Sequence, residues 1–287
     1  MKDSLGDRMK KFYEDRTRFS LLRRTYTMIR IDGKAFHTYT KGLKKPFDIG
    51  LIEDMNATAA YLCKNMMGAK LAYVQSDEIS VLLTDFDDLS TQAWFDNNLQ
   101  KMSSVAASLA TSEFNRLRLA RIINSNEETP IKLLMIEKKT MANFDARVFQ
   151  LPTLTEVVNY FIWRQQDATR NSISSVAQSL YSHKELHGKS SNEMQELIFQ
   201  KGINWDGFSY REKRGGVITK VSYVNGVQSK MYEIDPEGTY YWNNTMTSGV
   251  ASKIPDGATI RNKWEMVETP IFTQDNGFLI NIIPNNS

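Results

Sequence analysis

Apolar residues follow two different periods along this chain, and their alternation predicts an α+β fold. Ile29 and Ile31 share one face of an extended run over residues 25–32. Leu71-Ala72-Tyr73-Val74 and Ile79-Ser80-Val81-Leu82-Leu83 read as the arms of a hairpin over 70–84, with Ser76-Asp77-Glu78 at its tip. Helical spacing governs Ile52, Met55, Ala59, Leu62 and Met66. Asp48 is well placed as the N-cap of that helix, which runs to about Met67, and Gly68 as its C′ residue. Residues 4–19 and 92–120 also read as helical. Residues 131–137 and 144–150 are expected as two further strands, the second ended by Pro152. A long helix is expected from Leu154 to Ser182, then a polar break at Gly188-Lys189-Ser190-Ser191 and a shorter helix near 192–200. The tail from Val217 is β-rich, and Asn225-Gly226 is a strong hairpin signal.

Strand, helix, strand, strand, helix, strand is the ferredoxin-like order, an antiparallel sheet with helices on one face. Residues 1–150 make that unit. Residues 151–287 make a helical and β-hairpin region expected to pack on it as one compact body.

Composition narrows the class. The chain has 287 residues, 41% hydrophobic and 24% charged, ordinary values for a globular protein. A single cysteine, Cys63, rules out an internal disulfide or a cysteine metal cluster; it falls on the helical apolar stripe and is expected in the core. Met1-Lys2-Asp3 opens no apolar signal region and no run is long enough to span a membrane, so a cytoplasmic protein is expected. Net charge is only +3, yet residues 1–45 hold 13 Lys/Arg against 5 Asp/Glu. An arm carrying Arg8, Lys10, Lys11, Arg16, Arg18, Arg23 and Arg24 suits polyphosphate or an RNA backbone, or is a solvated basic face.

Two carboxylates stand where apolar runs stop, Asp32 at the exit of the first strand and Asp77 at the hairpin tip. If the two elements are neighbours in one sheet, these acids converge and suit Mg²⁺, which takes one or two carboxylates plus phosphate oxygens. Gly33 lets the backbone approach a ligand, so its carbonyl is a candidate third donor. Glu78 either supports the site or faces solvent. This is the outline of a two-metal nucleotidyl-transfer centre. His37 and Lys45 lie just beyond Asp32; Lys45 either pairs with triphosphate or is solvated. No P-loop or Rossmann glycine pattern is present, so phosphates must be held by metal and scattered cations. His183 and His187 are spaced i, i+4 but lack a third ligand and read as a solvated pair. Arg116-Leu117-Arg118-Leu119-Ala120-Arg121 puts positive charge on a helix end, for RNA or for the helix dipole.

Arg30-Ile31-Asp32-Gly33-Lys34-Ala35-Phe36-His37, Lys45-Pro46-Phe47-Asp48, Gln75-Ser76-Asp77-Glu78-Ile79-Ser80, Phe144-Asp145-Ala146-Arg147 and Trp163-Arg164-Gln165-Gln166-Asp167-Ala168 occur in this order. Together they resemble the tRNA-His guanylyltransferase superfamily over roughly residues 10–220. The resemblance implies a polymerase-like palm in residues 1–150 that adds nucleotides to the 5′ end of tRNA in the 3′-to-5′ direction. It implies Asp32 and Asp77 as catalytic residues that hold two Mg²⁺ ions with the Gly33 carbonyl, and Glu78 is counted with them among the metal-binding residues. Lys45, Lys101, Ser104, Arg147 and His37 match positions near the triphosphate of ATP, GTP or another NTP, or near the activated RNA end. A homotetramer is implied as well. Members that mark tRNA-His carry His-Ile-Asn-Asn where this chain has Thr169-Arg170-Asn171-Ser172. That departure resembles the bacterial, archaeal and phage-type branch, associated with templated repair of 5′-truncated tRNAs. Addition of the extra guanosine to tRNA-His is the alternative, and a palm-fold nucleotide cyclase and a non-catalytic RNA-binding protein are rivals from other classes.

Overall fold

A computed structural model describes residues 4–225, 232–234, 240–244, 247–251 and 259–286. A short helix α1 (Leu5–Met9) opens them and continues through irregular helical turns to Thr17. Then come β1 (Tyr26–Gly33), the one-turn helix α2 (Phe36–Tyr39), α3 (Ile49–Asn65), β2 (Ala69–Gln75) and β3 (Glu78–Leu83). After these follow α4 (Leu99–Ile123), α5 (Thr129–Lys139), β4 (Phe144–Leu151), α6 (Leu154–Leu180), α7 (His183–Leu186), α8 (Ser191–Gln200) and α9 (Tyr210–Arg214). Strands β5 (Gly216–Asn225), β6 (Tyr232–Ile234), β7 (Tyr240–Asn244), β8 (Thr247–Ala251) and β9 (Thr259–Val267) lead to α10 (Gly277–Ile282).

The strands lie in the order β4-β1-β3-β2, all antiparallel, as the ferredoxin-like arrangement requires. The sheet does not stop there. β5 pairs with β2 and β9 with β5, so the β-rich tail extends the same sheet. The turn expected at Asn225-Gly226 and the run after it reach beyond the described residues.

Strands β1, β2 and β3 bury both faces over most of their length, which is why their apolar runs look nearly continuous. Ile29, Ile31, Ala72, Val74, Ile79 and Val81 pack against Met55, Ala59 and Leu62 of α3 and Met102, Ala106 and Phe114 of α4. This is the expected helical layer, and Cys63 lies within it. The opposite face is covered too, because α6 lays Val157, Val158 and Phe161 on Tyr26, Met28, Leu71, Tyr73 and Leu82. Beyond the sheet the far half of α6 makes its own cluster, Ile173, Val176 and Ala177 against Ile198 and Trp205.

Several expectations need correcting. Residues 131–137 form no strand; they lie inside α5, with Pro130 in its first turn, where a missing N–H costs nothing. Lys132, Leu133, Leu134, Met135 and Glu137 are strong helix formers, and both flanks of β1 are already taken by β3 and β4. The helix expected over 92–120 is broken: Phe95, Asp96 and Asn97 take positive φ, and Asn98 caps a new start by accepting from the N–H of Lys101. Arg118 and Arg121 are not turned to RNA or to the helix end. Both bind the buried carboxylate of Asp54 on α3, Arg118 at 2.8 Å and Arg121 at 2.8 Å, and so clamp two helices together. In the basic arm, Arg23 pairs with Asp85 at 2.7 Å and Arg24 donates to the carbonyls of Asp88 and Leu89. Among the described residues no helix is long and apolar enough to cross a membrane.

Candidate active site

The register of three strands assembles the site. Asp32, the penultimate residue of β1, stands opposite Glu78 of β3 on one side and Asp145 of β4 on the other. Ser76 turns through the left-handed region (φ 49°), so Asp77 falls at the very tip of the hairpin. The N–H of Gly33 donates to the backbone carbonyl of Asp77 at 3.1 Å, which ties the end of β1 to that tip. A Cβ on Gly33 would stand 2.3 Å from the ring of Phe36, and that ring is wedged among Tyr39, Phe114 and Phe144. Glycine is therefore required here by packing beneath the site.

The two carboxylates feel each other. Burial pushes the Asp77 carboxyl up to about 6, and the neighbouring Asp32 charge adds to the rise against hydrogen bonds that lower it. Among the described residues Asp77 has no Lys or Arg ion-pair partner, and Asp32 has only Arg147, with Nη2 at 4.0 Å. Nor do three His, Cys, Asp or Glu side chains gather as an ion-binding group among them. The donor set is two acids with a shortage of positive charge, next to the Gly33 backbone. It fits a hard cation that draws its remaining oxygens from phosphate and water.

Glu78 has a different task. Nε of Arg164 donates to its Oε1 at 2.8 Å and Nη2 to its Oε2 at 2.7 Å, a bidentate buried pair. Its place among the metal donors is corrected accordingly: with both oxygens engaged it braces the hairpin that carries Asp77. Arg164 is held in turn by Asp167 at 2.9 Å. Beside the pair, the hydroxyls of Ser80 and Tyr160 lie 2.8 Å apart, and burial raises the Tyr160 phenol to about 12.

A cavity of about 340 Å³ opens between the hairpin tip and α6. Asp32, Ser76 and Asp77 line one wall, and Arg164, Asp167, Asn171, Ser174, Ser175 and Gln178 the other. Asn171 apart, the second wall from Ser174 onward was not singled out from sequence. Its signal was present: positions 164, 167, 171, 174 and 178 form a polar stripe at helical spacing along one face of α6.

The family model for Thg1, tRNAHis guanylyltransferase, matches residues 6–152, the span that holds β1 to β4 with both acids. The chain belongs to the tRNAHis guanylyltransferase family. A bacterial Thg1-like protein solved in complex with ATP is 40% identical, with a TM-score of 0.74 over 98% of this chain and 100% of that one. A bacterial Thg1-like protein solved with GTP is 38% identical, with a TM-score of 0.68 over 96% and 97% of the two chains. The tRNA(His) guanylyltransferase of Schizosaccharomyces pombe is 30% identical over 69% of this chain and 74% of its own length. As a member of the tRNAHis guanylyltransferase family the chain is a nucleotidyltransferase.

The other residues matched to this family's nucleotide site divide sharply. Arg147 faces Asp32 across β1 and β4, loosely held between Asp32 and Asp145 at 4.0 and 3.9 Å. Lys45 is exposed in the loop after α2; two residues on, Phe47 packs on Phe208 and brings the loop to the cluster under the far half of α6. His37 is exposed on α2, its Nε2 3.0 Å from the Thr38 hydroxyl. Lys101 and Ser104 do not join them. The Thr111 hydroxyl accepts from the N–H of Phe144, which pairs with Gly33, so α4 passes the level of the acids at residue 111. Lys101 comes ten residues earlier, about 15 Å back along the helix and over the opposite face of the sheet. There its ammonium sits on the Phe95 ring at 4.6 Å. Within one chain these two residues are outside the site. At the segment that departs from the family pattern, Ser172 is structural, donating to the Lys213 carbonyl and accepting from the Trp205 indole, while Asn171 faces the cavity.

Proposed function

We propose that the chain repairs the 5′ ends of tRNAs by templated addition of ribonucleotides in the 3′-to-5′ direction. The observation that carries this reading is the Asp32–Asp77 pair, poor in counter-charge, beside a polar cavity of nucleotide size. Full-length similarity to bacterial Thg1-like proteins solved with ATP and with GTP supports nucleoside triphosphates as substrates. Asp32, Asp77 and the Gly33 carbonyl would hold Mg²⁺, which when bound supplies positive charge against the triphosphate and the leaving group.

The chain's own residues supply position and charge. The Glu78–Arg164 pair fixes the hairpin, so the two acids are set before substrate arrives. The loosely held guanidinium of Arg147 turns to phosphate oxygens with little to give up, and exposed Lys45 is a further cation free to do so. Activation joins a 5′-phosphate oxygen of the RNA to the α-phosphorus of ATP, and pyrophosphate leaves. Addition then joins the 3′-oxygen of an incoming NTP to the RNA's 5′-phosphorus; AMP leaves and the hydroxyl proton passes to solvent. A 5′-triphosphate end needs no activation, because pyrophosphate is already the leaving group.

Addition of a single guanosine to tRNA-His is supported equally by the fungal relatives that carry that name. An extension assay with 5′-labelled tRNA-His, intact and 5′-truncated, separates the two readings. Gap filling by whichever nucleotide pairs with the opposite strand is the expected result. A single G added whatever the template moves the chain to the second reading. No product with wild type, or undiminished product with Asp77→Ala, overturns both.

A further inference from the structure

Trp163 is a large aromatic that the fold leaves in the open. Trp94 and Trp205 are 7% and 8% exposed; Trp163 is 47% exposed and stands beside the site. With about 3.6 residues per turn, Tyr160 and Arg164 face the sheet, Phe161 turns toward β2, and Trp163 and Arg170 fall on the flank toward β4. β4 is an edge strand, so this flank borders solvent.

The indole is nonetheless fixed. Its ring meets Tyr160 edge-on at 5.8 Å, and the guanidinium of Arg164 lies over it at 4.4 Å. Arg164 is itself locked by Glu78 and Asp167, so the ring is held from behind while its outer side is free. Arginines flank it, each facing an acid: Arg164 and Arg170 pair with Asp167 at 2.9 Å, and Arg147 lies loosely by Asp32 and Asp145. Arg170, about two helical turns on, is half exposed, and Arg147 projects from β4 on the same side of the sheet as α6. Asp167 and Asp145 are the opposing acids on this flank. A rigid exposed indole among arginines, next to the Arg164 that lines the candidate active site, is suited to stack an unpaired base and hold its phosphates.

We propose that Trp163 is a stacking platform for a nucleobase of the RNA strand, with Arg147 and Arg170 beside its backbone. This rests on the reading of the chain as an RNA 5′-end nucleotidyltransferase and names where the RNA is gripped. Arg164 thereby has two tasks, bracing the hairpin from one face and rigidifying the platform from the other.

The test is anisotropy of a fluorescent 5′-truncated tRNA titrated with the full chain, alongside the KM for NTP in the extension assay. Trp163→Leu and Trp163→Ala are expected to weaken RNA binding about five- to 150-fold with the NTP KM unchanged. Trp163→Phe is expected to keep most of the affinity. Tryptophan emission in wild type is expected to fall on RNA binding by more than in Trp163→Phe, a readout independent of any loss of folding. The platform is overturned if Trp163→Leu binds RNA like wild type, if the loss falls on the NTP KM alone, or if the emission change is the same in Trp163→Phe. If wild type neither binds nor extends RNA, the functional reading itself fails.

Discussion

Replacing Arg164 by Leu tests how the hairpin is held. Glu78 is 8% exposed and both of its oxygens are engaged by Arg164. Removing the guanidinium leaves a buried carboxylate whose remaining protein contacts are the Gln75 amide at 3.3 Å and the Ser80 hydroxyl at 3.4 Å, both long. Breaking a buried pair from one side costs about 3–5 kcal/mol, because the surviving charge keeps its desolvation penalty. Arg164 also holds Asp167 and covers Trp163, so the upper part of that range is expected. Urea denaturation of wild type, Arg164→Leu, Glu78→Leu and the double variant gives the coupling energy directly. The double variant should recover most of the loss, since an apolar pair of similar volume carries no unpaired charge. Activity should not recover with it, because the tip that carries Asp77 has lost its brace. A loss below about 1 kcal/mol for Arg164→Leu would refute the buried-pair argument, as would a double variant as unstable as the single. Full activity in the double variant would refute the positioning role.

Three further outcomes are expected. In EDTA, Asp77 contributes a pH-dependent penalty: its folded value of about 6 lies above the ordinary 3.8, so the stability gained from its neutral form is complete below about 3.8 and lost as pH rises through 6. Asp77→Asn should therefore be more stable than wild type at pH 7.5 by at most about 3 kcal/mol, the gap closing near pH 4; equal melting curves at pH 7.5 count against the raised Asp77 value. Gly33→Ala drives a methyl into the Phe36 ring and should cost about 1–3 kcal/mol by chemical denaturation, with Phe36→Leu relieving part of it. Asp54→Ala strands Arg118 in the core and should cost about 3–5 kcal/mol while leaving RNA affinity unchanged; weakened RNA binding in a folded Asp54→Ala protein would return the Arg118 and Arg121 cluster to an RNA role.

Local chemistry made much of this protein legible. Strands β1, β2, β3 and β4 and helices α3 and α6 were written in apolar periodicity, and Asp48 marked the start of α3, because such signals act within a few residues; the end of α3 came earlier than Gly68 suggested, with Met66 as its C-cap. Asp32 and Asp77 could be picked out because each stands where an apolar run ends, and the sheet then brought those ends together. What sequence left open was the partner of each charge. Glu78 could support the site or face solvent until a residue 86 positions away took both of its oxygens. Arg118 and Arg121 could serve RNA or the helix dipole until α3 supplied Asp54. Residues 131–137 passed for a strand until both neighbours of β1 proved taken. Lys101 and Ser104 matched a nucleotide site that α4 carries them away from. An apolar period is a property of one segment, but an ion pair, a strand neighbour and a cavity wall each need two segments in register. Only the folded chain sets that register.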